Sequence, residues 1–448
     1  MKKHSSLVVL VSCMVSIQVS ARQDGIPVKL SECVEAALGR NASVKVSEAK
    51  VMAAEAKVGE THAALLPQVK FTGRAAQLSS VPVSSIALPL PGFQPIQLFQ
   101  SIEQNYAAKV TVQQPIFMGF RLQKNQEIAE HNAEAARQDY SKDQAEMVLN
   151  VTTAYWNLRR GIEVEKVVTQ TTDQVSEHLK DVRNFARQGM VSDVDVIKVQ
   201  VQLSDVQVKQ IEARSAIRIA TMSLNSLIGN PLETNIVPSE KPDVPGDTTA
   251  SVSVLSGTLE SLLARAKANR PELRAMQSRR DLSAAGVDAA KGGWYPQITI
   301  AANYDYARPN MRILPPKDQW DGSWDVGISL QWNVWDWNTA GHQTAQAEAS
   351  LKQAEASTSQ LEDYVALDVA QQYFKRIESR EKIIVASRGV AQAEETHRIT
   401  REKYKQGAAT NTELLDAEMA LLQAKLIHTQ SVIDYNVAIA RLKKAVGM

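Results

Sequence analysis

The chain has 448 residues, of which 44% are hydrophobic but only 5% aromatic, which favours long helices with small-residue seams over an aromatic-rich core. Its 50 basic and 49 acidic residues nearly balance, so a nucleic-acid partner is not expected. No metal-ligand spacing, nucleotide-binding loop or nucleophile motif occurs, so we expect no metal, no cofactor and no enzymatic activity.

The first 21 residues have the features of an export signal. Lys2 and Lys3 precede a short apolar run, and small residues at its end offer a cleavage site after Ala21. A second interpretation is lipidation of Cys13, because residues 10–13 resemble a lipoprotein cleavage box. Cleavage after Ala21 leaves Cys33 as the only cysteine, so no disulfide can form within the mature chain.

The next segment is an Ala-rich helix from Ser31 to about Leu65. The periodicity then changes to two, because apolar residues such as Val69 and Phe71 alternate with polar ones. We predict two strands at about 68–78 and 105–117, separated by a Pro-rich loop. No run of 18 consecutive apolar residues follows the leader, so no transmembrane helix is predicted.

The chain contains an internal repeat. Tyr155 matches Tyr373, and Gly189 matches Gly407, both at a sequence offset of 218. Upstream of the second strand the offset is 229, so the first copy has a longer Pro-rich loop. We assign the copies to 30–230 and 259–448, joined by an irregular Pro-rich linker at 231–258.

The second copy repeats the same order of elements. A helix over about 258–292, kinked at Pro271, precedes strands at about 297–306 and 323–335. Apolar residues alternate with polar ones along the last strand for about 10 residues, the length of a tilted membrane strand. We therefore predict a lipid-facing row made of Trp324, Val326, Ile328, Leu330 and Trp332.

A very long helix follows each strand pair, at about 120–186 and 338–404, and no proline interrupts either one. At 1.5 Å per residue each helix would be about 100 Å long. The returning helices carry apolar residues at alternating spacings of four and three, as in Val199, Leu203 and Val206. This spacing predicts coiled-coil packing.

Four strands cannot close a membrane-spanning barrel, and an open sheet edge is not viable in lipid. If the strands span a membrane, copies must therefore associate. Two copies would supply eight strands, which leave a side-chain-filled interior, and three would supply twelve, which leave a lumen.

The whole mature chain resembles TolC-type outer-membrane efflux proteins. The resemblance rests on 66–68 (LPQ) and 295–297 (YPQ) before the strands, and on 404–407 (YKQG) and 413–418 (ELLDAE) at the second turn. It implies a mainly α fold with a pair of β-hairpins. The long helices would form a periplasmic tunnel, and three copies would form a 12-stranded outer-membrane barrel.

The resemblance also implies partners and a location. The chain would be the passive outer-membrane duct of a tripartite efflux or type I secretion system, contacting outer-membrane lipid. It would dock to a periplasmic adaptor protein and an inner-membrane pump. The alternative is a soluble periplasmic coiled-coil adaptor or scaffold, in which Val326, Ile328 and Leu330 would face a protein core.

Two groups of site residues carry over from the family. The periplasmic aperture would include Glu413, Asp416, Asp195 and Tyr404, with the first two forming an acidic ring; as an alternative, these two are ordinary helix-start residues favoured by the helix dipole. Ala409 stands where some family members have an arginine. The adaptor would dock on two helix tips, made of Gly189, Met190, Val191, Ser192, Gly407, Ala408, Ala409 and Thr410.

Overall fold

The computed structural model describes residues 25–82, 85–86, 96–97, 101–244 and 257–448. The predicted export signal, with Cys13, lies outside the described residues, as do parts of the Pro-rich loop and of the linker. The helices are α1 Leu30–Arg40, α2 Ala42–Ala63, α3 Arg121–Arg187, α4 Asp193–Ile228, α5 Leu259–Asn269, α6 Pro271–Lys291, α7 Thr339–Lys405 and α8 Asn411–Ala445. The strands are β1 Ile26–Val28, β2 Gln68–Gln77, β3 Ser85–Ile86, β4 Ile96–Gln97, β5 Gln104–Met118, β6 Ile236–Pro238, β7 Gln297–Arg308 and β8 Asp321–Gln331.

The membrane-strand candidates form one antiparallel sheet in the order β2-β5-β7-β8. The two copies therefore meet in its centre, where β5 pairs with β7. One edge of the sheet, β2, comes from the first copy, and the other edge, β8, comes from the second. Both edges lack a partner strand among the described residues of this single chain.

The predicted strand at 323–335 is too long, because β8 ends at Gln331. Gln331 pairs with Gln297, the first residue of β7, so residues beyond it have no strand to pair with in this chain. The following segment turns into α7 through Trp337 and Asn338, both with positive φ. Trp332 therefore lies just past the strand rather than on it.

The first helix of each copy is interrupted. The continuous helix predicted over about 31–65 is wrong, since α1 ends at Arg40 and Asn41 caps α2 by accepting a bond from the Ser43 N–H. In the second copy the kink predicted at Pro271 is a break between two helices, since α5 ends at Asn269 and Pro271 begins α6.

The predicted irregular linker contains a short strand. Within it, β6 pairs in parallel with β1 from the start of the chain. The buried Tyr155 hydroxyl joins the two segments, because it donates to Val28 O and accepts from the Glu240 N–H. Residues 236–240 of the linker thus pack against the middle of α3.

The long helices form one layer in the order α4-α3-α8-α7 towards their turns. Nearer the sheet, α2 and α6 pack on α3, and α6 also packs on α7. The seam predicted along the returning helices is buried at Val199, Val206 and Ala213 in α4, and at Leu421, Tyr435 and Leu442 in α8.

Among the described residues, no helix combines the length and the apolar character needed to cross a membrane.

Candidate functional site at the helical tips

Both long helices end in the same kind of turn. Gly189 and Gly407 follow them with φ angles of 72° and 71°, a conformation that glycine adopts without strain. The Met190 N–H donates to Phe185 O at 2.9 Å, and Ala408 makes the corresponding bond in the second copy. These are Schellman turns, which reverse the chain within a few residues. The eight docking residues predicted from the sequence all lie in these two turns.

Each returning helix begins with a capping box. Ser192 and Asp195 exchange side-chain-to-backbone hydrogen bonds at the start of α4, and Thr410 and Glu413 do the same at α8. The Glu413 carboxylate accepts the Thr410 N–H at 2.6 Å. The two predicted aperture acids at these positions therefore have a local structural task in a single chain.

These caps change the acidity of both carboxyl groups. Hydrogen bonds from the Thr410 backbone and hydroxyl lower the pKa of Glu413. Hydrogen bonds from Ser192, first from its hydroxyl, lower the pKa of Asp195, and the charge of Lys198 adds to the effect. Both groups therefore remain ionised to a lower pH than they would without these caps.

Asp416 lies one turn after Glu413 on α8, and both side chains are exposed. A spacing of three places them on one face of the helix. The arrangement gives each chain two neighbouring negative charges at the start of α8.

Tyr404, the last predicted aperture residue, is buried. Its ring packs edge-on against His178 at 5.4 Å and against Phe185 at 6.0 Å between centroids. Burial raises the pKa of Tyr404, and nearby carboxylates, Asp195 first, raise it further. Its hydroxyl makes no hydrogen bond within the described part of the chain.

The two turns enclose a groove of about 600 Å³, lined by both Asp195 and Tyr404. Asn411 ties the turns together, because its buried amide donates to Asp195 O at 3.3 Å. Exposed Met190, also in the lining, adds an apolar surface. The structure thus brings the first-copy and second-copy site residues to one place.

A buried polar cluster lies behind the groove, and no local sequence motif predicted it. His178 of α3 faces Glu418 of α8 at 3.3 Å, and both side chains are only 4% exposed. His397 of α7 lines the same small cavity, and burial lowers its pKa. One signal was available: the separation of the two histidines along the chain almost equals the repeat offset.

Two ligand questions can be stated for the described residues. No group of three His, Cys, Asp or Glu side chains is arranged to hold a metal ion. Cys33 is buried, and burial raises its pKa to about 11, so it is a poor nucleophile.

The predicted lipid-facing row is exposed in the single chain. Trp324, Val326, Ile328 and Leu330 are between 64% and 73% exposed on one face of β8. Trp332, beyond the strand, donates from its indole nitrogen to Trp294 O at 3.2 Å. The soluble scaffold alternative predicted that these residues face a protein core, and within the single chain they do not.

Comparison with known proteins identifies the family. The sequence model described as "Outer membrane efflux protein" matches residues 33–230 and 262–448, one segment in each copy of the repeat. The chain belongs to the outer membrane efflux protein family. It is therefore an outer-membrane channel protein of efflux systems, with a periplasmic helical tunnel and strands that contribute to a barrel.

The individual relatives have low sequence identity, but each match covers most of both chains. The outer membrane protein TolC of Vibrio cholerae is 22% identical over 71% of this chain and 72% of its own length. The probable efflux pump outer membrane protein TtgC of Pseudomonas putida is 21% identical over 93% of this chain and 82% of that protein. The solved structure of CusC has a TM-score of 0.78 at 17% identity, covering 96% of this chain and 95% of that one.

Proposed function

We propose that three copies of this family member close into one duct, which docks to a periplasmic adaptor and an inner-membrane pump and passively conducts their cargo. The observation that carries the proposal is that sheet and helical layer are open at equivalent edges. In both, one edge comes from the first copy of the repeat and the other from the second. Joining unlike edges around a rotation axis closes both layers at once.

The edges of the helical layer carry exposed apolar stripes. On α4 the stripe is 54% to 68% exposed and follows one face of the helix. Edge helix α7 has a matching stripe on one face. The α4 stripe consists of Val194, Ile197, Val201, Val208, Ile211 and Ile219, and the α7 stripe of Tyr364, Leu367, Phe374 and Val385. Apolar surface of this extent is typical of a protein interface.

The two edges also match in height. A groove of about 790 Å³ beside α7 is lined by Val164, Val385 and Ile427. The Gln210 side chain of α4 donates to the Thr169 hydroxyl of α3 at 2.9 Å. Ile211 of α4 therefore lies near the height of Val164, the α3 residue that lines this groove. Because the chains of a ring lie at the same height, Ile211 of one chain can enter the groove of the neighbouring chain.

The sheet supports the proposed number of chains. Each chain supplies four membrane strands, and an eight-stranded barrel would be filled by its own side chains. Three copies give twelve strands and a lumen. A duct for cargo therefore needs at least three copies, which is the state we propose.

The trimer is tested with Ile211→Asp, which places a charge in the proposed interface. We expect the trimer fraction in detergent, measured by analytical ultracentrifugation, to fall by roughly tenfold or more, which is about 1.4 kcal/mol or more of association energy. Ile211→Leu is the matched control and should remain trimeric. A monomeric wild-type protein, or trimers of Ile211→Asp at the wild-type level, would refute the assembly.

The tips are the proposed docking site for the adaptor. The support is the shape of the two turns, which end the helical layer with the exposed side chain of Met190 and a groove between them. The TtgC relative is named as part of an efflux pump, which supports a pump partner. Gly189→Ala and Gly407→Ala, which strain the two turns, should weaken adaptor capture in crosslinking experiments.

Glu413 and Asp416 are the proposed aperture ring, because three copies of this pair would concentrate negative charge at the periplasmic end of the duct. Asp195 and Tyr404 would hold the two turns of each chain together beside it. Glu413→Gln with Asp416→Asn should raise anion permeability in planar bilayers. The control is Glu402→Gln, an exposed acid on α7 before the turn. Unchanged ion selectivity of the double variant would exclude the ring.

A further inference from the structure

The loop between β7 and β8, residues 309–320, folds back over one face of the sheet. Trp324 and Val326 define the exposed apolar face of β8, so Ser323 and Asp325 point to the opposite face. That opposite face lines the lumen in the trimer proposed above. The loop makes its contacts with this polar face.

Asn310 anchors the start of the loop. Its side chain is only 4% exposed and donates to Asp321 O at 3.1 Å and to the Ser323 hydroxyl at 3.0 Å. Its amide oxygen accepts the Arg312 N–H at 3.0 Å. All the polar groups of this side chain are therefore used to hold the loop in one conformation.

Arg312 makes the deeper attachment. Its guanidinium donates to Asp325 at 2.6 Å and to Trp324 O at 2.9 Å. Asp325 is itself held, since it accepts from Asn303 of β7 at 2.9 Å. Asn303 in turn accepts from Thr111 of β5 at 2.8 Å. The anchor of Arg312 thus belongs to a polar row that crosses three strands.

The end of the loop returns to the other face. Trp320 stacks on Tyr306 with ring centroids 5.0 Å apart, and on Tyr106 at 6.1 Å. Both tyrosines share the face of Trp324. The loop therefore crosses the rim of the sheet, with its first half over the polar face and its last residue on the apolar face.

We propose that this loop is an inward-folded cover at the outer mouth of the channel, held by the Arg312–Asp325 pair, which restricts the entry of bulky polar molecules from outside. The inference rests on the proposed trimer, in which three such loops would converge on the lumen. The pair is half-exposed, at 51% and 37% for the two side chains, so its contribution is modest and the cover can open for outgoing cargo.

The test measures access to the lumen below the loop. Ser329 lies on the face of Asp325, four residues and about 13 Å deeper along β8. In a Ser329→Cys background, a bulky membrane-impermeant maleimide is added to intact cells. The background labelling is low because Cys33 is only 2% exposed. Leu314→Cys, at the 76% exposed loop position, is the reference for access from outside.

Arg312→Asp places two carboxylates together and should speed labelling at position 329 by roughly fivefold or more, since the cover is no longer held. The charge swap Arg312→Asp with Asp325→Arg should slow it again to within about twofold of the parent. Lys109→Asp makes the same charge change on the same face, but on β5, opposite Asp305, rather than in the loop. Because the charge of Lys109 also acts on Asp325, the labelling rate should rise by less than about twofold.

Equal labelling rates in the parent and Arg312→Asp would overturn the cover, and an accelerated rate that the swap does not reverse would overturn the role of the pair. Failure to label Leu314→Cys on intact cells would instead contradict the outer-membrane orientation on which the proposed duct depends. The two proposals can therefore fail separately.

Discussion

The two helix tips share a backbone but differ in surroundings. Each has a glycine turn followed by a capping box, yet five of the first eight residues of α8 are buried, while in α4 only Val199 is. The cause is position, because α8 lies between α3 and α7, whereas α4 contacts α3 and leaves its other side open. A duplicated sequence thus produced one internal helix and one edge helix.

The two tips therefore allow packing within one chain to be tested separately from association between chains. Residues of the α8 tip should contribute to the stability of the single chain, whereas equivalent residues of α4 should act mainly between copies. Pairs of positions related by the repeat offset provide matched comparisons of the two roles.

The largest effect is expected at the buried pair behind the tip. His178→Ala leaves the Glu418 carboxylate buried without its partner and should lower the free energy of unfolding by about 3 kcal/mol. Gln200 is the exposed first-copy equivalent of Glu418. Gln200→Ala should change the free energy of unfolding by less than about 0.5 kcal/mol. Urea unfolding in detergent, followed by helical circular dichroism, measures both. Equal losses would contradict the internal role of α8.

A similar contrast is expected for apolar contacts. Leu414, 3% exposed in α8, should cost about 3 kcal/mol of unfolding free energy on replacement by alanine, because a cavity remains. Val196, its partly exposed equivalent in α4, should cost about 1 kcal/mol. Conversely, Ile211→Asp should spare the stability of the single chain while lowering the trimer fraction by roughly tenfold or more. A loss of unfolding free energy at Val196 as large as that at Leu414 would show that α4 does not lie at the edge of the helical layer.

Tyr404→Phe is expected to have almost no effect on the chain itself. Its hydroxyl is buried without a hydrogen-bond partner in the described chain, so its removal should change the free energy of unfolding by less than about 0.5 kcal/mol. Tyr404→Ala, which removes the ring contacts with His178 and Phe185, is the contrasting variant. A large loss with phenylalanine would mean that the hydroxyl has a partner in the assembled protein.

The smallest effect concerns acidity. Burial lowers the pKa of His397, so the folded tip binds fewer protons than the unfolded chain. Stability should therefore decrease as pH falls through about 6.5, the usual histidine value. Comparing the pH dependence of unfolding for wild type and His397→Gln isolates this contribution. The variant should lose less stability between neutral and mildly acidic pH, and identical curves would show that His397 does not titrate there.

Local patterns predicted most of the elements. Alternation along about 68–78 and 105–117 predicted β2 and β5 to within one residue at each end, and the long helices also begin and end within one residue of their predicted bounds. The errors lie where neighbours decide. The apolar alternation continues to Val334, but β8 stops at Gln331 because β7 offers no further residue to pair with. Asn41, without a proline to mark it, still separates α1 from α2 by capping.

The site shows the same division. The family resemblance placed the eight tip residues and the acids Asp195 and Glu413 at two turns. The structure explains why such positions can be read locally, because glycine turns and capping boxes depend on residues a few positions apart. The sequence could not pair His178 with Glu418, nor bring Arg312 over Asp325, because such contacts depend on how separate elements pack. The short-range signals recur at the repeat offset and determined two like units. Only the tertiary order of strands and helices decided which element of each unit lies in the interior and which forms an open edge.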